Sequence, residues 1–331
     1  MTFSRADLEL LRQTASGGAC VLVSTHIHPD PDAVGSALAA AEMLSQLGAR
    51  PRVILEDEVP SRCKNLPGAE RIDVYAAAKT ESPFAAAVIV DAGSLSRIGD
   101  VRNLLTPDAI LFNIDHHVSN DRFGAVNFVD VECAATAEML FLLLRELNLI
   151  LTPGLADNLL AGLLTDTGRF RYSNTTPRVL RLAGDLIEAG AHVTDITNGM
   201  YYDIPSADIL SMGAVYSTLE LHQNGRISLL FARLDHLVED PDTVVDIALS
   251  IRGVCVAALL SETREGKIRV SLRSKHSINV ARIAESLGGG GHERAAGFRM
   301  KGTLETVRDR VLPILREEVR TKIDKPAFEE A

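Results

Sequence analysis

Residues 20–48 read CVLVSTHIHPDPDAVGSALAAAEMLSQLG and carry the clearest secondary-structure pattern of the chain. The apolar run at 20–25 is typical of a strand that is buried on both faces of a sheet. In residues 33–47 the apolar side chains recur at three- and four-residue spacing, which predicts a helix that ends near Gly48. The turn between them is rich in histidine and aspartate. The stretch therefore predicts a strand, a polar turn and a helix, the repeating unit of an α/β domain.

The rest of the chain extends this unit into two domains. Further buried strands are predicted at 86–91 and 109–115, and alternating strands and helices indicate a mostly parallel sheet. Successive helices follow, predicted at 135–148, 153–165 and 177–189. The last third predicts strands at 226–233, 253–261 and 267–273 and helices at 240–251 and 278–287. We expect an α/β protein with a larger N-terminal domain (1–190), in which helices flank a mostly parallel sheet, a helical linker (191–220) and a smaller C-terminal α/β domain (221–331).

Charge is distributed unevenly along the chain. The net charge is −10, which argues against a protein that clamps long duplex nucleic acid, because such binding depends on many contacts from Lys and Arg to phosphates. Residues 264–301, however, contain nine Lys or Arg against three acids, a local balance of +6, so the remainder carries −16. This asymmetry favours a small anionic ligand that meets a local basic surface.

Targeting and cysteine patterns suggest an ordinary cytoplasmic protein. The N-terminus lacks the apolar run of a signal peptide, and no stretch reaches the roughly 18 apolar residues of a membrane span. The four cysteines, at 20, 63, 133 and 255, are far apart and form no C-x-x-C pair. We therefore expect buried thiols rather than disulfides or a thiolate zinc site, and no membrane partner.

The turn after the first strand places His26, Asp30 and Asp32 within seven residues. Carboxylates this close together in a poorly solvated cleft resist joint ionisation unless a cation compensates them. A divalent metal ion would do so. Taken alone, the two aspartates are equally well explained as caps of the following helix.

Three more segments of the chain shift the balance toward a metal centre. Asp91 closes the second strand, and Asp115, His116 and His117 follow the third, so all should lie at the edge of the sheet where ligands bind. Asp166 ends an apolar helical stretch. Each would be unremarkable alone, as a turn residue or a core histidine, but together they predict one site.

These residues carry a family resemblance. H-x-x-P-D-x-D-A-x-G-S from residue 26, the strand-end Asp91, Asp-His-His at 115–117 and T-D-T-G at 165–168 resemble the ordered motifs of the DHH phosphoesterase superfamily. VSLRSK at 270–275 and GGGGHERAAG at 288–297 resemble its DHH-associated C-terminal domain. Length and motif order are similar to the bacterial nanoRNases of the NrnA type, which are bifunctional oligoribonucleases and phosphatases of 3'-phosphoadenosine 5'-phosphate (PAP).

The resemblance implies two divalent metal ions, with Mn(II) favoured over zinc. One ion is expected on His26, Asp30 and Asp91. The other ion is expected on Asp32, Asp91, His116 and Asp166. Asp91 would therefore bridge the two ions. His117 would contact the phosphoryl group or assist the leaving group, and Asp115 would support it. The expected substrate-binding residues are Arg273, Ser274, Gly289, Gly290, Gly291 and His292.

Two positions depart from the family pattern. His28 and Pro31 stand where Asn and Gly are common in the first motif. Pro31 stiffens the loop and removes one N–H donor. No expected ligand is lost by either change.

The expected activity is hydrolysis of short single-stranded oligoribonucleotides to mononucleotides, and of PAP to AMP. Cleavage of cyclic di-AMP or linear di-adenylate is an alternative, and more remote ones are an inorganic pyrophosphatase and a nucleotide-sensing module without catalysis. The sequence leaves the oligomeric state open, including a homodimer.

Overall fold

The computed structural model describes residues 3–77, 83–238 and 241–323. The chain divides into two compact units, Met1–Asp203 and Ile204–Ala331. The division falls within 191–220, the range predicted as the linker. In 3–77, 83–238 and 241–323, no helix has both the length and the apolar character needed to cross a membrane.

The first unit is built on a six-stranded sheet. Its strands are β1 (Cys20–Ser24), β2 (Arg50–Leu55), β3 (Asp73–Val74), β4 (Phe84–Val90), β5 (Leu105–Asp115) and β6 (Val126–Val129). They lie in the order β3-β2-β1-β4-β5-β6, and each neighbouring pair is parallel, which confirms the predicted parallel sheet. The direction of strand succession reverses between β1 and β4. In doubly wound sheets, ligands bind beyond the carboxyl ends of the strands at such a reversal.

Helices cover this sheet: α1 (Arg5–Thr14), α2 (Pro31–Gln46), α3 (Thr136–Glu146), α4 (Pro153–Asp166), α5 (Pro177–Glu188) and α6 (Val193–Tyr201). Two glycines let α2 and α4 approach closely. A Cβ on Gly35 would lie 2.3 Å from the carbonyl oxygen of Asn158, and one on Gly162 would lie 2.2 Å from Asp32 Oδ1. Gly162 thus brings α4, which ends at Asp166, against the start of α2.

The second unit contains a mixed sheet with the order β11-β12-β10-β9-β8-β7. Its strands are β7 (Glu220–His222), β8 (Ile227–Ala232), β9 (Val256–Glu262), β10 (Lys267–Ser274), β11 (Gly290–His292) and β12 (Ala295–Lys301). Its helices are α7 (Ser206–Tyr216), α8 (Pro241–Ser250), α9 (Val280–Ser286) and α10 (Leu304–Lys322). The predicted α/β character is confirmed. The sequence interpretation missed β7, β11, β12 and α10. Residues 324–331 lie outside the described part of the chain.

Candidate metal centre

The carboxyl edge of the first sheet gathers a cluster of carboxylates and imidazoles. The turn after β1 supplies His26 and Asp30, and the first turn of α2 supplies Asp32. Three overlapping groups each have donor atoms within 4.8 Å of one another, and together they contain all six residues predicted as metal ligands: His26, Asp30 and Asp91; Asp32, His116 and Asp166; and Asp91, His116 and His117.

Asp91 lies at the centre of this cluster. Its Oδ2 is 3.4 Å from His26 Nε2, whereas its Oδ1 is 3.6 Å from His116 Nε2. The His116 Nε2 atom also lies 3.0 Å from Asp166 Oδ2. Asp91 is 2% exposed and has a φ of 53°, in the left-handed region that Asp, Asn and His adopt more often than other non-glycine residues. The two oxygens of this one buried carboxylate face two different sets of ligand candidates.

The crowding of acids perturbs their protonation. Burial, together with the charges of Asp91 and Asp166, raises the pKa of Asp32 well above its ordinary value. Burial likewise raises the pKa of Asp166 to about 6, although a hydrogen bond with His116 opposes this. Carboxylates that cannot ionise together are what a divalent cation would compensate, and the donor set of carboxylates and imidazoles fits such an ion.

At His26 and Asp91, in contrast, the neighbouring groups favour the charged form of the side chain. Burial by itself would lower the pKa of His26, but the hydrogen bond and charge of Asp91 and the charge of Asp30 outweigh it and raise that pKa to about 9. Burial would raise the pKa of Asp91, but the hydrogen bond with His26 and the neighbouring imidazolium charges hold it below its ordinary value. Without a metal ion, protons on histidine stabilise the Asp91 charge.

Two hydrogen bonds fix the orientation of the adjacent histidines. His116 Nδ1 lies 3.2 Å from the carbonyl oxygen of Cys133, and His117 Nδ1 lies 2.7 Å from Asp115 Oδ1. Asp115 is fully buried, and the same Oδ1 accepts the backbone N–H of His116. This geometry is consistent with the supporting role predicted for Asp115, next to the ligand candidates rather than among them.

The sequence interpretation missed Thr136, the first residue of α3. Its hydroxyl donates to Asp91 Oδ1 at 2.8 Å, and its backbone N–H donates to Asp32 Oδ2 at 2.8 Å. The N–H of Ala137 donates to Asp32 Oδ1 at 3.1 Å. Residue Ala135, at the N-cap, has a methyl side chain that cannot accept a hydrogen bond. A clear helical pattern that begins without a capping side chain therefore indicates that an acceptor from another part of the chain caps the helix.

The two aspartates of the first motif cap different helices. Asp30 caps its own helix, because its Oδ1 accepts the N–H of Ala33 at 3.0 Å. Asp32 instead accepts the first N–H groups of α3, a helix that begins about a hundred residues later. Helix capping and metal binding are compatible, since an ionised carboxylate has about four lone-pair sites.

The two departures from the family pattern fit the backbone. His28 has a φ of 55°, a region in which His, like Asn, is enriched among non-glycine residues. Its N–H donates to Asp57 Oδ2 at 2.6 Å, and its ring Nδ1 lies 3.3 Å from the same oxygen. Pro31 is the first residue of α2, where the missing N–H costs no helical hydrogen bond.

In the second unit, the predicted substrate-binding residues lie on neighbouring strands. Arg273 on β10 is in register with Ala295 on β12, and Ala295 is in register with His292 on β11. The Arg273 side chain is 13% exposed, and its guanidinium lies 2.8 Å from Asp242 and 3.4 Å from Asp246. The side chain of His292 lies outside the described residues.

Ser274 and the glycine run also have structural roles. The buried Ser274 hydroxyl donates to the carbonyl oxygen of Ile278 at 2.7 Å. A Cβ on Gly289 would lie 2.1 Å from the oxygen of Gly297, and one on Gly291 would lie 2.6 Å from the oxygen of Ala295. Close packing against β12 thus requires two of the glycines, whereas a Cβ on Gly290 would meet no atom of the described residues within 4 Å.

Comparisons with known proteins agree with this architecture. The family model described as "DHH family, N-terminal domain" matches residues 20–163, and the DHHA1 domain matches residues 229–321. A protein from Thermus thermophilus named bifunctional oligoribonuclease and PAP phosphatase NrnA is 36% identical over 301 residues, 90% of each chain. The protein of the same name from Bacillus subtilis is 29% identical and covers 87% of this chain and 91% of its own.

One solved structure supports the fold. The crystal structure of an exopolyphosphatase-related protein from Bacteroides fragilis has a TM-score of 0.84 and covers 96% of both chains. Its sequence identity is 23%, so the likeness concerns the fold alone.

Proposed function

The chain belongs to the DHH family of phosphoesterases, and from this membership we propose that it hydrolyses short oligoribonucleotides to mononucleotides and PAP to AMP. The observation that carries the proposal is Asp91, whose two oxygens face two sets of ligand candidates at the point where the strand order reverses. The names and coverage of the relatives from Thermus thermophilus and Bacillus subtilis supply the substrate class.

The donor set of carboxylates and imidazoles supports two divalent metal ions and is compatible with Mn(II), which we assign on the resemblance to the DHH family. His26, Asp30 and Asp91 would hold one ion. The second would be held by Asp32, Asp91, His116 and Asp166. Bound ions of this kind supply positive charge that lowers the pKa of water and stabilises charge developing at phosphorus.

His117 is the residue of the chain that we assign to the reacting phosphate. Its Nδ1 lies 2.7 Å from Asp115 Oδ1, and we assign the other ring nitrogen, Nε2, to a phosphoryl or leaving oxygen of the substrate. Asp115 holds the ring against rotation. A fixed ring donates without the entropy loss of ordering a mobile side chain at the moment of reaction.

Recognition of the nucleotide is assigned to the second unit. Asp242 and Asp246 hold the Arg273 guanidinium in one place, and we assign its in-plane N–H donors to a phosphate or a base edge of the substrate. Ser274, Gly289, Gly290, Gly291 and His292 complete the proposed set. Of the three glycines in this set, Gly290 is the one at which an added Cβ would meet no described atom within 4 Å, which supports close approach of a ligand there.

A substrate panel tests the proposal directly. The purified protein is incubated with a diribonucleotide, PAP, cyclic di-AMP, linear di-adenylate or pyrophosphate, each with Mn(II), Mg(II) or EDTA. We expect the dinucleotide and PAP to be hydrolysed with Mn(II) and spared with EDTA. Turnover of neither with any metal would overturn the proposal, and preferential turnover of cyclic di-AMP or pyrophosphate would replace it with that activity.

A further inference from the structure

Hydrogen-bonded asparagine side chains connect the loop before β6 to Asp115, the hydrogen-bond partner of His117. Asn127 exchanges two hydrogen bonds with the backbone of Gly124, accepting its N–H at 3.0 Å and donating to its carbonyl at 2.7 Å. Asn113 Nδ2 donates to Asn127 Oδ1 at 3.0 Å and to Asn120 Oδ1 at 2.9 Å. Asn120 Nδ2 then donates to Asp115 Oδ2 at 2.6 Å.

The direction of these hydrogen bonds is fixed by the backbone. An amide side chain can be flipped without changing its shape, so its orientation must be argued from groups that can only donate or only accept. The N–H of Gly124 can only donate, so it determines which side of the Asn127 amide is oxygen. The N–H of Arg122 does the same for Asn120, whose Oδ1 it meets at 2.8 Å. Asn120 must therefore present its NH₂ group to Asp115.

The same donor-to-acceptor direction continues through Asp115 to His117. Asp115 Oδ2 accepts from Asn120, and its Oδ1 accepts the backbone N–H of His116 and faces His117 Nδ1 at 2.7 Å. With backbone and amide donors already directed at its two oxygens, the Asp115 side chain is arranged to accept an N–H from His117 Nδ1. Asn120 Nδ2 also lies 3.3 Å from the carbonyl oxygen of Ala92, the residue after Asp91.

We propose that Asn120 is a positioning residue for the reaction: through Asp115 it keeps the Nδ1–H of His117 on Asp115 and so points Nε2 toward the substrate phosphate. The catalytic contribution rests on the proposed function. The alternative is that Asn120 merely holds the loop between β5 and β6 together.

The test uses Asn120→Asp, which has the same shape but replaces the NH₂ donor with an acceptor facing Asp115. Mutating a hydrogen-bond partner of an active-site residue typically lowers activity by about 10- to 100-fold. We therefore expect kcat on a dinucleotide to fall at least about tenfold, while KM and Mn(II) affinity change by less than about twofold. The matched control is Asn148→Asp, an identical change at an exposed residue after α3, which should leave all three values unchanged.

A double-mutant cycle separates positioning from general loop structure. If Asn120 acts through His117, adding Asn120→Asp to His117→Ala should lower kcat by less than about twofold further. Losses that multiply in the double variant, or a single variant that loses KM and Mn(II) affinity together with kcat, would assign Asn120 to loop structure and overturn the proposal.

A measurement on the unaltered protein covers the case in which Asn120→Asp does not fold or the protein shows no hydrolysis. With ¹⁵N-labelled histidine in the metal-free protein, the His117 resonances are identified by their loss in His117→Ala. We expect a downfield, slowly exchanging Nδ1–H. A ring protonated only at Nε2 would overturn the positioning assignment, whereas an Nδ1–H in an inactive protein would leave the hydrogen-bond assignment standing while the proposed function fails.

Discussion

The cluster around Asp91 and the surroundings of Arg273 handle charge in opposite ways. In the first unit, like charges are buried together, and the pKa of both Asp32 and Asp166 is raised because burial and neighbouring acids disfavour ionisation. In the second unit, Arg273 faces two carboxylates of α8. The first cluster is balanced by protons on its histidines or by an external cation, whereas Arg273 lies against carboxylates of its own unit. The difference predicts that metal binding and nucleotide binding can be disturbed separately.

The largest effect is expected from Asp91→Asn, which removes the charge at the centre of the cluster in the first unit. The amide keeps the shape but cannot supply charge to two ions, so we expect kcat to fall by about two to three orders of magnitude. Bound Mn(II), measured by elemental analysis after desalting, should fall as well. A variant that folds, as judged by circular dichroism, and retains full metal content would refute Asp91 as the bridge.

The second effect is a dependence of metal affinity on pH. The pKa of His26 is raised to about 9, so at pH 7.5 the metal-free protein carries a proton there that a metal ion must displace. Metal binding should therefore release protons, and Mn(II) affinity should rise by up to about tenfold per pH unit from pH 7 toward 9. Calorimetry in two buffers of different ionisation enthalpy measures the release. Equal heats in both buffers would contradict the prediction.

Arg273→Ala probes the other region. Removing a charge-assisted hydrogen-bond donor should raise KM for a dinucleotide by about thirtyfold, with bound Mn(II) unchanged. Arg310→Ala, at an exposed arginine of α10, is the matched control and should leave KM unaltered. A fall in metal content in Arg273→Ala would show that the two regions are not independent.

The smallest effect is expected at Thr136, whose hydroxyl holds Asp91. Thr136→Val keeps the shape but loses the donor, and a loss of about 1 kcal/mol corresponds to about fivefold weaker Mn(II) binding. Thr136→Ser keeps the hydroxyl and should bind Mn(II) like the unaltered protein. If Val and Ser variants bind equally, the hydroxyl does not position Asp91.

Local patterns predicted the central elements of the fold well and its edges poorly. β1, β4 and β5 are long apolar runs, so their character was evident. The strands β3, β7 and β11 have two or three residues, too few to establish a period. α10 was missed although Thr303 caps it and Leu304, Val307 and Val311 repeat at helical spacing, because Pro313 interrupts the pattern.

Sequence patterns alone predicted that the polar residues after β1, β4 and β5 meet, since the carboxyl ends of neighbouring parallel strands share one edge of the sheet. The resemblance to the DHH family assigned Asp166, which ends a helix, to the same ligand set. How the cluster is held follows from packing: Asp32 caps α3, Thr136 donates to Asp91 and Asn120 donates to Asp115. The packing of α2 against α3 and the closure of the loop between β5 and β6 create these contacts. No periodicity along the chain encodes a hydrogen bond between residues that only packing brings together.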